Sequence, residues 1–208
     1  MIKFVYFDLG GVVIDDFSGN NGWKELKHEL GVTDDIEPEF DKAWRPLEHE
    51  ALVGRNVESL LPELKSRFEL NTPTTYSLLN GFVSRFKANM PIWPVIEKVR
   101  QHSHIGLLTN AYPGMLDAIR AKGILPPTEW DIVVDSSIEM LKKPDFQLFE
   151  LAERRAGVDR GEVLFIDNTI GHIKEAESFG WHVYLYNSSD HEASCNTLVA
   201  PEAQHSLD

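Results

Sequence analysis

Ile2-Lys3-Phe4-Val5-Tyr6-Phe7-Asp8-Leu9-Gly10-Gly11 is the stretch on which the architecture turns. The run from Ile2 to Phe7 is too short for a helix and breaks off at an acid followed by a glycine pair. That is how a buried strand of a parallel sheet ends in a loop. Further segments of the same kind follow: His104 to Leu108 before Thr109-Asn110, Asp131 to Val134 before Asp135-Ser136-Ser137, Val163 to Ile166 before Asp167-Asn168, and Val183 to Tyr186.

Amphipathic stretches alternate with these strands. Ile92 to Gln101 carries Val95, Ile96 and Val99 on one face, with Pro94 in its first turn. Met115 to Lys122, Phe146 to Ala156 and Ile170 to Phe179 stop at Gly123, Gly157 and Gly180, the residue type suited to a left-handed helix terminus. Such alternation implies right-handed crossovers and an α/β, Rossmann-like parallel sheet with helices on both faces. The stretch 17–88 departs from it, showing amphipathic runs (Trp23 to Leu30, Pro38 to Trp44, Val57 to Phe68, Tyr76 to Phe86) and no strand. Residues 1–16 and 89–208 therefore read as the core, and 17–88 as an all-helical insertion placed to exclude water from the strand ends.

Of 208 residues, 42% are hydrophobic and 25% charged, enough for one α/β domain with a modest insertion. Lys and Arg total 20 against 33 Asp and Glu, a net charge of −13. A surface this acidic repels nucleic acid and anionic lipid but attracts cations such as Mg²⁺. The single cysteine, Cys195, excludes an internal disulfide and fits a reducing cytoplasm. The short N-terminal apolar run ends in an acid and is no signal peptide, and no stretch approaches a membrane span. Oligomeric state has no signature in the chain, and the polar tail after Ala200 reads as disordered.

Ligands of an open parallel sheet bind at the carboxyl ends of its strands. Asp8, Thr109-Asn110, Ser136-Ser137 and Asp167-Asn168 stand there, with Lys142-Lys143-Pro144-Asp145 opening the helix after the third strand. A carboxylate, a hydroxyl, a lysine and a second acidic loop suit phosphoryl transfer.

In order and spacing, Phe7-Asp8-Leu9-Gly10-Gly11-Val12-Val13, Leu107-Leu108-Thr109-Asn110, Lys143-Pro144-Asp145 and Phe165-Ile166-Asp167-Asn168 resemble the motifs of the haloacid dehalogenase superfamily. The helical insertion sits where that superfamily carries a C1-type cap. The resemblance implies a hydrolase in which Asp8 is the nucleophile, forming an aspartyl phosphate. It implies that Thr109 and Asn110 bind phosphoryl oxygens, that Lys143 neutralises Asp8 and the substrate, and that Asp8, the Gly10 carbonyl, Asp167 and Asn168 hold Mg²⁺. A small phosphorylated metabolite would be the substrate.

Two positions depart from the superfamily's phosphatases. Gly10 stands where an aspartate usually serves as general acid and base, a service worth roughly two to four orders of magnitude. Asn168 stands where a metal-binding aspartate is usual, and its amide brings no charge. A metal-independent 2-haloacid dehalogenase also lacks the first acid, because a halide leaves without a proton. A non-catalytic descendant that binds a phosphorylated ligand or a protein is the remaining alternative. Gly10→Asp is expected to speed alkyl phosphate hydrolysis by restoring an acid.

Among other residues, Asp15 and Asp16 read as solvent-exposed, with a displaced acid as a secondary role. His172 reads as a helix-surface residue, Trp44 as a packing residue able to line the pocket, and Arg55 as a substrate contact from a turn of the insertion.

Overall fold

The computed structural model describes residues 1–198. In chain order the elements are β1 (Phe4–Phe7), β2 (Ile14–Asp15), α1 (Gly22–Glu29), α2 (Glu37–Leu52), a 3₁₀ turn (Val57–Leu60), α3 (Leu61–Phe68), α4 (Leu78–Arg85), β3 (Lys87–Ala88) and α5 (Ile92–Arg100). Next come β4 (His104–Thr109), α6 (Met115–Lys122), β5 (Ile132–Asp135), α7 (Ser136–Glu139) and α8 (Phe146–Ala156). A second 3₁₀ turn (Arg160–Glu162), β6 (Val163–Asp167), α9 (Ile170–Phe179), β7 (His182–Leu185) and α10 (His191–Leu198) complete the described chain. The polar tail after Ala200 lies outside the described residues.

Five strands form one parallel sheet in the order β5-β4-β1-β6-β7. The period of two along β1 divides the core. Val5 and Phe7 enter one apolar cluster, with Ile105, Leu107 and Ile166. Phe4 and Tyr6 enter another, with Phe165, Phe149 of α8 and Ile173 of α9. Both faces of the sheet are therefore covered, as a parallel sheet requires.

The cluster on the Val5 side extends through Leu26, Phe40, Trp44 and Phe82 of the helical stretch. On α2, Phe40, Trp44, Leu47 and Ala51 are all buried at helical spacing. That stripe carries the helix past Pro46 to Leu52, beyond the Trp44 end expected from sequence. The helical stretch is also not free of strand. Lys87–Ala88 pairs antiparallel with Ile14–Asp15 where the chain leaves the sheet and where it returns. Two-residue strands carry too little periodicity to be read in advance.

The register places the chemistry. Phe7 lies opposite both Leu107 and Ile166, so the next residue, Asp8, stands beside the carboxyl ends of β4 and β6. Order along the sheet runs outward from β1 in both directions, and β1 is therefore the switch point at which such sheets bind ligands.

Candidate active site

Asp8, Lys143 and Asp167 form a buried charged triad at that edge. Lys143 Nζ lies 2.7 Å from Asp8 Oδ1 and 2.7 Å from Asp167 Oδ2. Relative exposure is 7% for Asp8, 1% for Lys143 and 0% for Asp167, so water screens none of these contacts well. The lysine reaches this position because its loop is clamped to the end of β4. Asn110 Nδ2 donates to the Lys143 carbonyl at 3.0 Å, and Lys143 N donates to Asn110 Oδ1 at 2.8 Å. Ser136, fully buried, accepts from Ala111 N at 3.0 Å and fixes the same turn.

Asp167 has both oxygens engaged. Oδ2 takes Lys143 and stands 2.9 Å from His172 Nδ1, while Oδ1 accepts from Thr169 N at 2.7 Å. His172 is thus half-buried against the triad rather than on the helix surface. Burial opposes charge on Asp167, but Lys143 and His172 outweigh it and hold the carboxyl well below its ordinary range. Burial likewise opposes charge on Lys143, and the two carboxylates outweigh it and raise the ammonium. Burial lowers His172.

One ammonium serves two carboxylates, and Asp8 carries the surplus. Burial first, then the charge of Asp167, push it up to about 8 against the pull of Lys143. Asp8 Oδ1 also accepts from Leu9 N at 2.7 Å, which leaves Oδ2 without a hydrogen bond among the described residues.

A cavity of about 660 Å³ opens over Asp8. Asp8, Gly10, Asn110 and Asn168 contribute from the sheet side, and Trp23, Trp44 and Phe82 from the helical stretch. Trp44 does line the pocket. Thr109, Lys143 and Asp167 are buried and do not line it. Thr109 ends β4 with no side-chain hydrogen bond among the described residues.

Asn168 is oriented by a relay that starts far away in sequence. Ser188 donates its only hydroxyl proton to the Gly11 carbonyl at 2.7 Å, so toward Asn168 it acts as acceptor. Asn168 therefore turns Nδ2 to Ser188 at 2.9 Å, and its Oδ1 keeps only a long contact of 3.4 Å from Thr169 Oγ1. Gly11, at φ +73°, permits this approach. A Cβ there would collide with the Asn168 amide and stand 2.8 Å from Ser188 Oγ.

Two further sequence readings change. Arg55 does not line the cavity; it pairs with Glu50 at 2.5 Å and Glu63 at 3.2 Å. Asp16 is half-buried, lines the cavity, and burial raises its carboxyl. Its Oδ2 stands where a side chain at Gly10 would begin, so the side chain of Gly10→Asp enters only if the Asp16 carboxylate shifts. His172 and Ser188 were not legible as site residues, since Asp167-to-His172 spacing alone suits any surface helix and Ser188 acts across 177 positions.

The profile of the haloacid dehalogenase-like hydrolase family matches residues 2–180. Among curated proteins, mouse acyl-CoA dehydrogenase family member 10 is 30% identical over 97 residues, a match covering 36% of this chain and 9% of that protein. A haloacid dehalogenase family enzyme of Bacteroides thetaiotaomicron, solved with magnesium and inorganic phosphate, superposes with a TM-score of 0.73 at 18% identity, covering 91% of this chain and 96% of the other. The L-2-haloacid dehalogenase of Xanthobacter autotrophicus, with chloropropionic acid covalently bound, superposes with a TM-score of 0.64 at 21% identity, covering 98% and 86%.

Proposed function

Because this chain belongs to the haloacid dehalogenase-like hydrolases, we propose that it is a Mg²⁺-dependent phosphatase of a small phosphorylated metabolite, acting through an aspartyl phosphate on Asp8. The observation that carries this reading is the surplus of negative charge beneath the cavity floor at Asp8, where two buried carboxylates share one ammonium. A divalent cation would balance that surplus. The solved relative from Bacteroides, with its magnesium and phosphate, supports the same choice.

The donor set fits Mg²⁺, a hard cation that prefers oxygen. Asp8, the Gly10 carbonyl and the Asn168 amide oxygen would hold it from the cavity side, where Asp8, Gly10 and Asn168 form the wall. Carboxylate oxygens of Asp8 and Asp167 and a ring nitrogen of His172 also lie within 4.8 Å of one another. The Lys143 ammonium stands between the two acids there and repels a second cation. Asp167 would accordingly support a bound Mg²⁺ indirectly, through Lys143 and the turn it fixes. When bound, the ion neutralises phosphoryl charge and keeps Asp8 ionised.

Asp8 Oδ2 is the free oxygen, and it attacks phosphorus while Oδ1 is held by Lys143 and Leu9 N. Lys143 counters the charge that gathers on the phosphoryl oxygens. Asn110, which lines the cavity, binds those oxygens at the end of β4, while Thr109 lies buried behind it. The helical stretch 17–88 acts as a C1-type cap, and its tryptophans favour an organic moiety with an apolar face. The cytoplasm is the compartment that goes with a lone, buried cysteine. Among the described residues, no helix is long and apolar enough to cross a membrane.

Turnover of p-nitrophenyl phosphate, dependent on Mg²⁺ and lost in Asp8→Asn, is the expected result. A metal-independent 2-haloacid dehalogenase is the second reading, favoured by Gly10 and by the covalent adduct in the Xanthobacter relative. Chloride release from 2-chloropropionate in the presence of a chelator would select it. Binding without turnover in either assay would select the non-catalytic descendant.

A further inference from the structure

We propose that Asp16 supplies the general acid and base that Gly10 lacks. The inference rests on the phosphatase reading and names the residue that handles its protons. Asp16 follows β2, the strand by which the chain leaves the sheet for the helical stretch, and it lines the same cavity as Asp8.

Its carboxylate is fixed by its own turn. Ser18 N donates to Asp16 Oδ1 at 2.7 Å, and Asn20 Nδ2 donates to the Asp16 carbonyl at 2.6 Å. Phe17, the next residue, packs on Phe82 and Phe86 with ring centroids 5.5 Å away in each case, which anchors the turn to α4. Oδ2 takes part in no hydrogen bond among the described residues and lies over Gly10. A Cβ built on Gly10 would collide with Asp16 Oδ2 and stand 3.1 Å from Asp16 Cγ. The space belonging to a side chain two residues after the nucleophile is thus filled by a carboxylate that arrives eight residues after it.

A turn residue with no further part needs only Oδ1. Gly10 fits the stronger reading, since any larger residue would evict this carboxylate. Asp15 is not the acid, because its Oδ1 is 2.7 Å from His191 Nε2.

In the first step Asp8 Oδ2 bonds to phosphorus and the bond from phosphorus to the leaving oxygen breaks. The electron pair of that bond stays on the leaving oxygen, which takes the proton from Asp16. In the second step the Asp16 carboxylate accepts a proton from water as the water oxygen bonds to phosphorus. The Asp8–phosphorus bond then breaks, its pair returns to Asp8, and inorganic phosphate leaves.

The test compares glycerol 2-phosphate with p-nitrophenyl phosphate, whose phenolate leaves with little need of a proton. In Asp16→Asn, which keeps the oxygen facing Ser18 N, the alkyl-to-aryl ratio of kcat/KM should fall by about 10²–10⁴. The same variant should release p-nitrophenolate in a burst equal to the enzyme concentration, because hydrolysis of the aspartyl phosphate has lost its base. Gly10→Ala, which displaces the carboxylate but keeps Asp16, should lower the same ratio, with thermal unfolding checking that both variants fold. An unchanged ratio without a burst, in variants that melt like the parent, overturns the role of Asp16 and leaves the phosphatase standing. A parent enzyme inactive on both esters with Mg²⁺ overturns both.

Discussion

Lys143→Met removes the one cation that, among the described residues, touches both buried acids. Nothing else changes much, since methionine keeps most of the volume and apolar length of the lysine stem. Both contacts in the parent are 2.7 Å long, and side-chain exposures are 0% for Lys143, 10% for Asp8 and 0% for Asp167. Breaking a buried ion pair by deleting one partner costs roughly 3–5 kcal/mol, because the remaining charge stays desolvated. At about 2–4 °C per kcal/mol for a chain of this size, the unfolding midpoint should drop by roughly 6–20 °C at pH 7. Acidification should narrow the gap, since protonating Asp167 removes the stranded charge. The double variant Asp167→Asn/Lys143→Met should recover part of the loss, as expected for residues in direct contact. Thermal and urea unfolding by circular dichroism at pH 5 and pH 7, with a chelator present, read all three effects. A Lys143→Met protein that melts with the parent, or a double variant whose losses simply add, would refute the triad as an energetic unit.

In metal-free protein the folded form of Asp8, raised to about 8, binds a proton that the unfolded chain releases near pH 4. Stability from this group is therefore greatest at the acid end and declines as pH climbs toward 8, by up to about 1.4 kcal/mol per unit. Asp167 works in the opposite sense, adding stability above its unfolded pKa that is lost as pH falls. Melting curves from pH 5 to pH 8 should show the decline in the parent and a flatter profile in Asp8→Asn. His172→Ala loosens Asp167 and through it Lys143, and kcat should fall by about 10–100-fold, with a smaller change in KM, in steady-state kinetics. Gly11→Ala drives a methyl into the Asn168–Ser188 relay at a left-handed backbone position, a strain of about 1–3 kcal/mol. It should raise the Mg²⁺ concentration needed for half-maximal turnover.

The sheet was legible because each strand is a short apolar run with a polar stop, and the stops are the chemistry. Asp8, Asn110, Lys143 and Asp167 meet as their strand-end positions implied. Local pattern could not show which of two adjacent residues faces the cavity. Asp167 and Asn168 divide their work by a half-turn of backbone, one buried under the lysine and the other on the cavity wall. Nor could it show Asp16 above Gly10, because that closeness depends on how a two-residue strand bends the chain back over the loop it has just left. Helix α2 escaped for a different reason, since burial of Leu47 and Ala51 overrides the break that Pro46 suggests.

Catalysis by this route requires that Asp8 become covalently modified during turnover. Enzyme mixed with Mg²⁺ and a turned-over phosphate ester, quenched in acid within the first cycle and digested, should carry one phosphoryl group on the peptide containing Asp8. The mass increment should be missing from Asp8→Asn. Continued hydrolysis with that peptide never modified, or a phosphoryl group found on another residue, would contradict it.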